Sequence, residues 1–199
     1  MISKNYNPAH YPKGNWVVPE EPKVQYLNYK DVSPINKFFF FGMQVGSHSK
    51  DTINVFKTLG HLRNIMAPYT MFFLSIYKLK GRIDGMEKEK IIEHAAWKLG
   101  CIYEFSHHNP FLRKKYSQEE IFSWAQDDCD AWDDKTRALF KAVDSIVEKH
   151  ILEGEEWDNL KKYYNDDQMV EFLMLVGHYI MIAVTVNSTG TQLEEDKWL

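Results

Sequence analysis

The residue types able to move protons or hold metals gather between Glu89 and His108, where Glu89, Glu93, Glu104, His107 and His108 stand with Cys101 among them. Glu104 and His108 are four apart, so on a helix they share a face one turn from each other. A carboxylate in that position hydrogen-bonds the imidazole, fixes its tautomer and favours its protonated form. Such a pair can take a proton from one atom and return it to another. Glu104 and His107 also have the Glu-x-x-His spacing with which helical di-iron bundles present two ligands, but those sites need a second copy and the sequence has none. No metal and no cofactor are therefore expected. Cys101 could act as a nucleophile only where its surroundings favour the thiolate.

These residues need a helix to hold them, and residues 86–108 read as one amphipathic helix. Ile91, Ile92, Ala95, Ala96, Leu99, Ile102 and Tyr103 form its core-facing stripe. Glu89, Glu93, Glu104, Trp97, His108 and Cys101 fall on the opposite arc, roughly 120° wide. Trp and free Cys are types usually withdrawn from water, so this arc implies a second covered surface, either a pocket wall or a subunit contact. A solvated face laced by i,i+4 charge pairs, with Lys90 on the same arc, is the alternative. Trp97 is the expected pocket wall, and Tyr103 sits toward packing. His178 is expected to be a satisfied core histidine or a contributor to the same pocket from across the bundle. Glu171 either joins the pocket or marks an exposed helix start.

The rest of the chain supplies helices. From Asp51 onward apolar-periodic runs alternate with short Gly, Asp or Pro breaks, which predicts helices over 52–64, 67–80, 86–108, 118–127, 133–150, 155–164 and 167–187. Ser117 with Glu120 has capping-box spacing, Asp133 and Asp166 precede amphipathic runs, and Pro110 is placed just past the third helix. Met169, Met174 and Met181 read as core filler. Five of the seven prolines lie in the first 34 residues. That composition predicts an extended arm over residues 1–50, anchored by aromatic rings, with a helix start in the run Phe38–Phe41. The second unit, residues 51–199, is the helical domain.

With 199 residues, 44% of them hydrophobic, the chain is long enough for a sizeable core. Lys plus Arg number 24 against 28 Asp plus Glu, which argues against a dedicated nucleic-acid or anionic-membrane surface. The longest apolar stretch, Phe172 to Val186, is short of the ~20 residues that span a bilayer and reads as a core helix. Two cysteines, Cys101 and Cys129, make no disulfide framework, and Met1-Ile2-Ser3-Lys4-Asn5-Tyr6 opens no signal segment. A cytoplasmic setting is expected.

The stretch from Glu89 through Trp97, Cys101, Tyr103 and Glu104 to His107-His108 resembles the signature helix of the carboxymuconolactone decarboxylase family, which also contains the AhpD-type alkylhydroperoxidases. Asn54 to His61 resembles that family's entry helix, and Trp132 to Leu139 the segment before its fourth long helix. Glu171 to Glu194, with Gly177-His178-Tyr179, is similar to its closing helix. The resemblance covers roughly residues 50–195 and implies an all-α, AhpD-like helical bundle assembled as a dimer, trimer or hexamer around a small-molecule site. The family's peroxidase branch uses Glu, Cys-x-x-Cys and His. Here these fall on Glu89, Cys101, Glu104 and His108, so a carboxylate stands where the second thiol belongs. A disulfide cycle needs that thiol. The chain is closer to the branch that the resemblance endows with acid–base chemistry on a small carboxylated or enolisable compound. In that reading His108 transfers the proton, Glu104 orients it, and Glu89 and Cys101 complete the catalytic arc. Trp97, Tyr103, His107 and His178 surround the substrate. The alternatives are a thiol peroxidase using Cys101, with Cys129 resolving only if folding brings it close, and a helical binding module that has lost the chemistry.

Overall fold

The computed structural model describes residues 5–46, 51–78 and 81–199. Among them the chain is helical and has no strand, with one isolated parallel bridge between Val17 and Cys101. The helices are α1 (Pro34–Gly46), α2 (Asn54–Leu59), α3 (Met66–Phe73), α4 (Gly85–Lys98), α5 (Ile102–Leu112), α6 (Gln118–Ser123), α7 (Asp134–Lys149), α8 (Gly154–Lys161) and α9 (Asp166–Thr189). A 3-10 turn, Gly60–Ile65, joins α2 to α3, and α3 runs into a π-helical turn, Leu74–Lys78. The sequence expectation for 67–80 ends on two residues outside the described ones, as do the first four and last four residues of the 1–50 arm.

Local chemistry explains most boundaries. Ser117 and Glu120 form the expected capping box, and Asp133 caps α7 through the Thr136 amide. The α9 cap is Asn165 with Gln168, one residue ahead of the expected Asp166. Pro110 lies inside α5 rather than past its end. The phenylalanine run opens no strand: α1 carries it, with Phe40 buried and Phe38 and Phe41 exposed.

The decisive departure is the predicted 86–108 helix, which is two helices. Gly100 adopts φ +61, which L side chains avoid, and a Cβ there would collide with the Asn15 carbonyl. The Gly100 amide donates to the Trp97 carbonyl and the Cys101 amide to the Ala96 carbonyl, a Schellman closure of α4. The chain then reverses, so α4 and α5 pack as a hairpin against α7 and α9. In α9, Phe172, Leu175, Val176, Tyr179, Ile182, Ala183 and Val186 recur at helical spacing and are buried. Each large side chain of this kind contributes about 1.5–3 kcal/mol when fully withdrawn from water. The 24-residue α9 is long and apolar enough to cross a membrane by length and composition, and half of its apolar window is buried here. Its other side exposes Val170, Met174, Met181 and Val184. Of the three methionines read as core filler, only Met169 is buried.

The segment before α1 first crosses the hairpin, where the Val17 amide donates to the Gly100 carbonyl. It then runs on to the end of α9 and to α2, where the Lys23 amide donates to the Thr189 carbonyl and the Leu27 amide to the Lys57 carbonyl. Tyr11 is buried and hydrogen-bonds Ser106 of α5 (2.9 Å), while Trp16 packs edge-on against Phe105 with centroids 4.8 Å apart.

Candidate active site

Reversal at Gly100 brings the start of α4 beside the end of α5, and that is how Glu89 reaches His108. The His108 Nδ1 donates to Glu89 Oε2 at 2.6 Å, and the Tyr77 hydroxyl donates to Glu89 Oε1 at 2.6 Å. On the other side of the ring, His108 Nε2 lies 3.5 Å from Glu104 Oε2 and 3.3 Å from the Tyr179 hydroxyl. Glu89, Glu104 and His108 are all buried. Burial by itself opposes the imidazolium, but the charge of Glu89 and hydrogen bonds to Glu104 and Glu89 outweigh it and raise the His108 pKa to about 10. The ring is a protonated donor at neutral pH, clamped between two acidic side chains.

His108 and Glu104 form part of the wall of a cavity of about 470 Å3. Tyr103, His107, His178 and Tyr179 also line it, and the remainder of the wall is largely aromatic and aliphatic. Its volume is that of a site for a small organic molecule. Tyr103 is tied away from the interior: it accepts from the Val55 amide (3.0 Å) and donates to Glu194 Oε1 (2.9 Å). His107 Nε2 holds Glu194 Oε2 at 2.7 Å, so Glu104 and His107 turn to different partners. Burial would raise the Glu194 carboxyl, yet His107 and the Asn54 amide hold it below its usual range.

His178 sits deeper on α9, stacked on Tyr69 and Phe73 and edge-on to Tyr179. Burial lowers its pKa to about 4, against an opposing pull from Glu104, so this ring is neutral where His108 is charged. The site thus holds two imidazoles of opposite protonation, both packed edge-on against the ring of Tyr179.

Trp97 and Cys101 stand outside the cavity. Cys101 was placed on the polar arc by extending one helical period across Gly100, whereas Trp97 shares α4 with Glu89 but lies eight residues further on, at the turn end of the hairpin. Trp97 is half-buried and donates its indole N–H to the Lys13 carbonyl at 2.8 Å. Cys101 is fully buried in an apolar cluster with Phe40 and Tyr103, and burial together with the nearby Glu104 charge pushes its thiol far up. Cys129 packs on a different cluster, and both thiols are free. Glu171 pairs with the buried Lys88 at 2.5 Å and braces the loop before α4.

Several residues of the site escaped the sequence reading. Tyr77 and Tyr179 are aromatic residues inside apolar runs, which carry no polar signal. Glu194 lies beyond α9, and only tertiary structure returns it to Tyr103 and His107. Glu93 was on the polar arc and lies behind the cavity, wholly buried. Asn109 Nδ2 donates to its Oε1 at 2.9 Å, leaving Glu93 Oε2 and Asn109 Oδ1 without partners. Both leftover atoms are acceptors if Glu93 is ionised. A proton on Glu93 closes an acid–amide pair, in agreement with the strong upward push of burial on that carboxyl.

No family model matches this chain and no curated protein matches it. Solved structures do. An uncharacterised peroxidase-related protein from Ralstonia eutropha, described as an alkylhydroperoxidase AhpD core, aligns with a TM-score of 0.76 at 15% identity over 89% of this chain and 95% of that one. A peroxidase-related protein from a Silicibacter species gives 0.70 at 13% identity over 94% and 95%. The debrominase Bmp8 gives 0.67 at 18% over 85% and 90% as the apoprotein. A variant of Bmp8 in complex with 2,3,4-tribromopyrrole gives 0.70 at 17% over 88% and 94%. The chain has the AhpD-like all-α fold. At these identities the likeness defines the fold, and the branch named by the sequence resemblance is a separate matter.

Proposed function

We propose that the protein is an enzyme of the acid–base type found in the carboxymuconolactone decarboxylase branch, acting on a small enolisable compound without a cofactor. The observation that supports this reading is the placement of His108, protonated and held between Glu89 and Glu104, in the wall of an otherwise apolar cavity. Glu104 is the group that removes a proton from carbon and returns one to it, and the imidazolium of His108 stabilises the enolate oxygen through its Nε2–H. Glu89 positions His108 and keeps it charged. Of the two substrate types implied by the resemblance, the enolisable one is favoured over the carboxylated one, because the described residues lining the cavity include no lysine or arginine and the imidazolium of His108 is already paired with Glu89 and Glu104.

The peroxidase-related neighbours argue for thiol chemistry instead, but the burial of Cys101 and the charge of Glu104 both oppose a thiolate here. Deuterium incorporation from D2O into a panel of small cyclic ketones, followed by mass spectrometry, tests the proposal. Exchange catalysed by the wild type and reduced about 10²–10⁴-fold in both Glu104→Gln and His108→Gln is the expected result. Equal exchange by all three proteins overturns it.

A further inference from the structure

Polar groups around the cavity are mostly engaged: Tyr77 and His108 on Glu89, Tyr103 and His107 on Glu194, and Thr70 on its own helix. His178 differs. It is 3% exposed, lines the cavity and makes no hydrogen bond among the described residues; its Nδ1 is sealed without a partner, and Nε2 is the ring nitrogen left open to a guest. A neutral imidazole left so in an apolar wall costs stability, which a guest can recover. Its surroundings also have a direction. The His178 ring lies at 19° to Tyr69 and 29° to Phe73, and Phe73 lies at 18° to Tyr77, so each successive pair in this row of rings is stacked. A flat guest aligned with them gains offset stacking that a globular one does not.

We propose that the cavity binds a flat, uncharged aromatic compound bearing one hydroxyl group, with that hydroxyl hydrogen-bonded to the His178 imidazole. A hydroxyl both donates and accepts, so it satisfies either tautomer of the neutral ring. Shape follows from the stacked ring pairs, and neutrality from a wall with no lysine or arginine among the described residues and with the charge of His108 already met by Glu89 and Glu104. The inference rests on the acid–base reading and narrows it to aromatic compounds, the hydroxyl anchored on His178 being distinct from the enolisable group that meets Glu104 and His108. His178 is a binding and positioning residue in this account, and the acid–base chemistry remains with Glu104 and His108.

Calorimetric titration of the full chain with 1-naphthol and with 1-methylnaphthalene, a near-isosteric compound without a polar group, is the test. In the wild type the hydroxyl favours binding, and in His178→Phe the ratio of the two dissociation constants shifts by about tenfold against 1-naphthol. His178→Gln, which keeps a hydrogen-bonding group, retains most of the preference. His108→Gln also retains it, although that variant loses deuterium exchange, and this separates the two proposals. A direct readout needs no variant: the ring-nitrogen NMR signals of His178 move on addition of 1-naphthol and stay in place with 1-methylnaphthalene. Failure of the wild type to bind 1-naphthol, an unchanged ratio in His178→Phe, or unmoved His178 nitrogens overturns the inference, even where exchange on cyclic ketones still depends on Glu104.

Discussion

Replacing Glu89 by Gln keeps the shape of the side chain and removes its charge from beside His108. In the native protein, lifting the imidazole from its ordinary 6.5 to about 10 makes the protonated ring more stable in the fold than in the unfolded chain. At ~1.4 kcal/mol for each tenfold change, the ceiling on that stabilisation is about 5 kcal/mol. Its sign is set by the raised value. The stabilisation is complete below about pH 6.5, where the unfolded ring is protonated as well, and is lost as pH rises through about 10. In Glu89→Gln, burial continues to oppose the charge while Glu104 alone supports it. The His108 titration is expected to fall by at least ~1 pH unit, and the loss of stability is complete correspondingly nearer to neutrality. Urea denaturation across a pH series, with NMR titration of the ring nitrogens, measures both. A wild-type His108 that titrates near 6.5, or a variant with an unchanged titration, refutes the assignment of Glu89 as the residue that holds the ring charged.

Three other outcomes are expected. Glu93→Gln replaces a buried neutral acid by an amide able to make the same two hydrogen bonds to Asn109. Because the carboxyl is raised, the wild type loses stability as pH rises above the ordinary carboxyl range, so the variant gains on it between about pH 5 and 8 in denaturation curves; a variant weaker by more than ~1 kcal/mol at both ends contradicts this. Native Cys101 is expected to resist iodoacetamide while the unfolded chain reacts, as read by mass spectrometry, and rapid native labelling excludes the burial described. Gly100→Ala should cost at least about 1–2 kcal/mol from the left-handed backbone, with a further penalty from the Asn15 carbonyl, and an unchanged unfolding midpoint overturns that account.

Much of the helical framework was legible in the sequence because its signals are local. Asp133 and the Ser117–Glu120 box act within one turn of the residues they cap, and the apolar recurrence along α9 shows a buried face directly. What misled was also local. The 86–108 reading passed over Gly100, whose closing role depends on the partners of its own amide and the next, which composition does not reveal. Extending one wheel through it placed Cys101 beside Glu89. The same error left Glu104 and His108 correctly joined, since both lie after the break on α5. Glu89 was named for the right neighbour, but it arrives from the antiparallel helix rather than from five turns along the same one. Tyr77, Tyr179 and Glu194 depend wholly on tertiary structure: two look like packing residues, and the third follows the final long helix.

The three residues between α4 and α5 serve as a gauge of reading frame for the chemistry. One inserted residue in that connection would rotate every α5 side chain by about 100° relative to α4, swinging the imidazole off its charge-holding partner while leaving the core composition intact. A relative of this chain that preserves each of the named acids and histidines but alters the length of that joint would therefore keep the ingredients and lose the reaction.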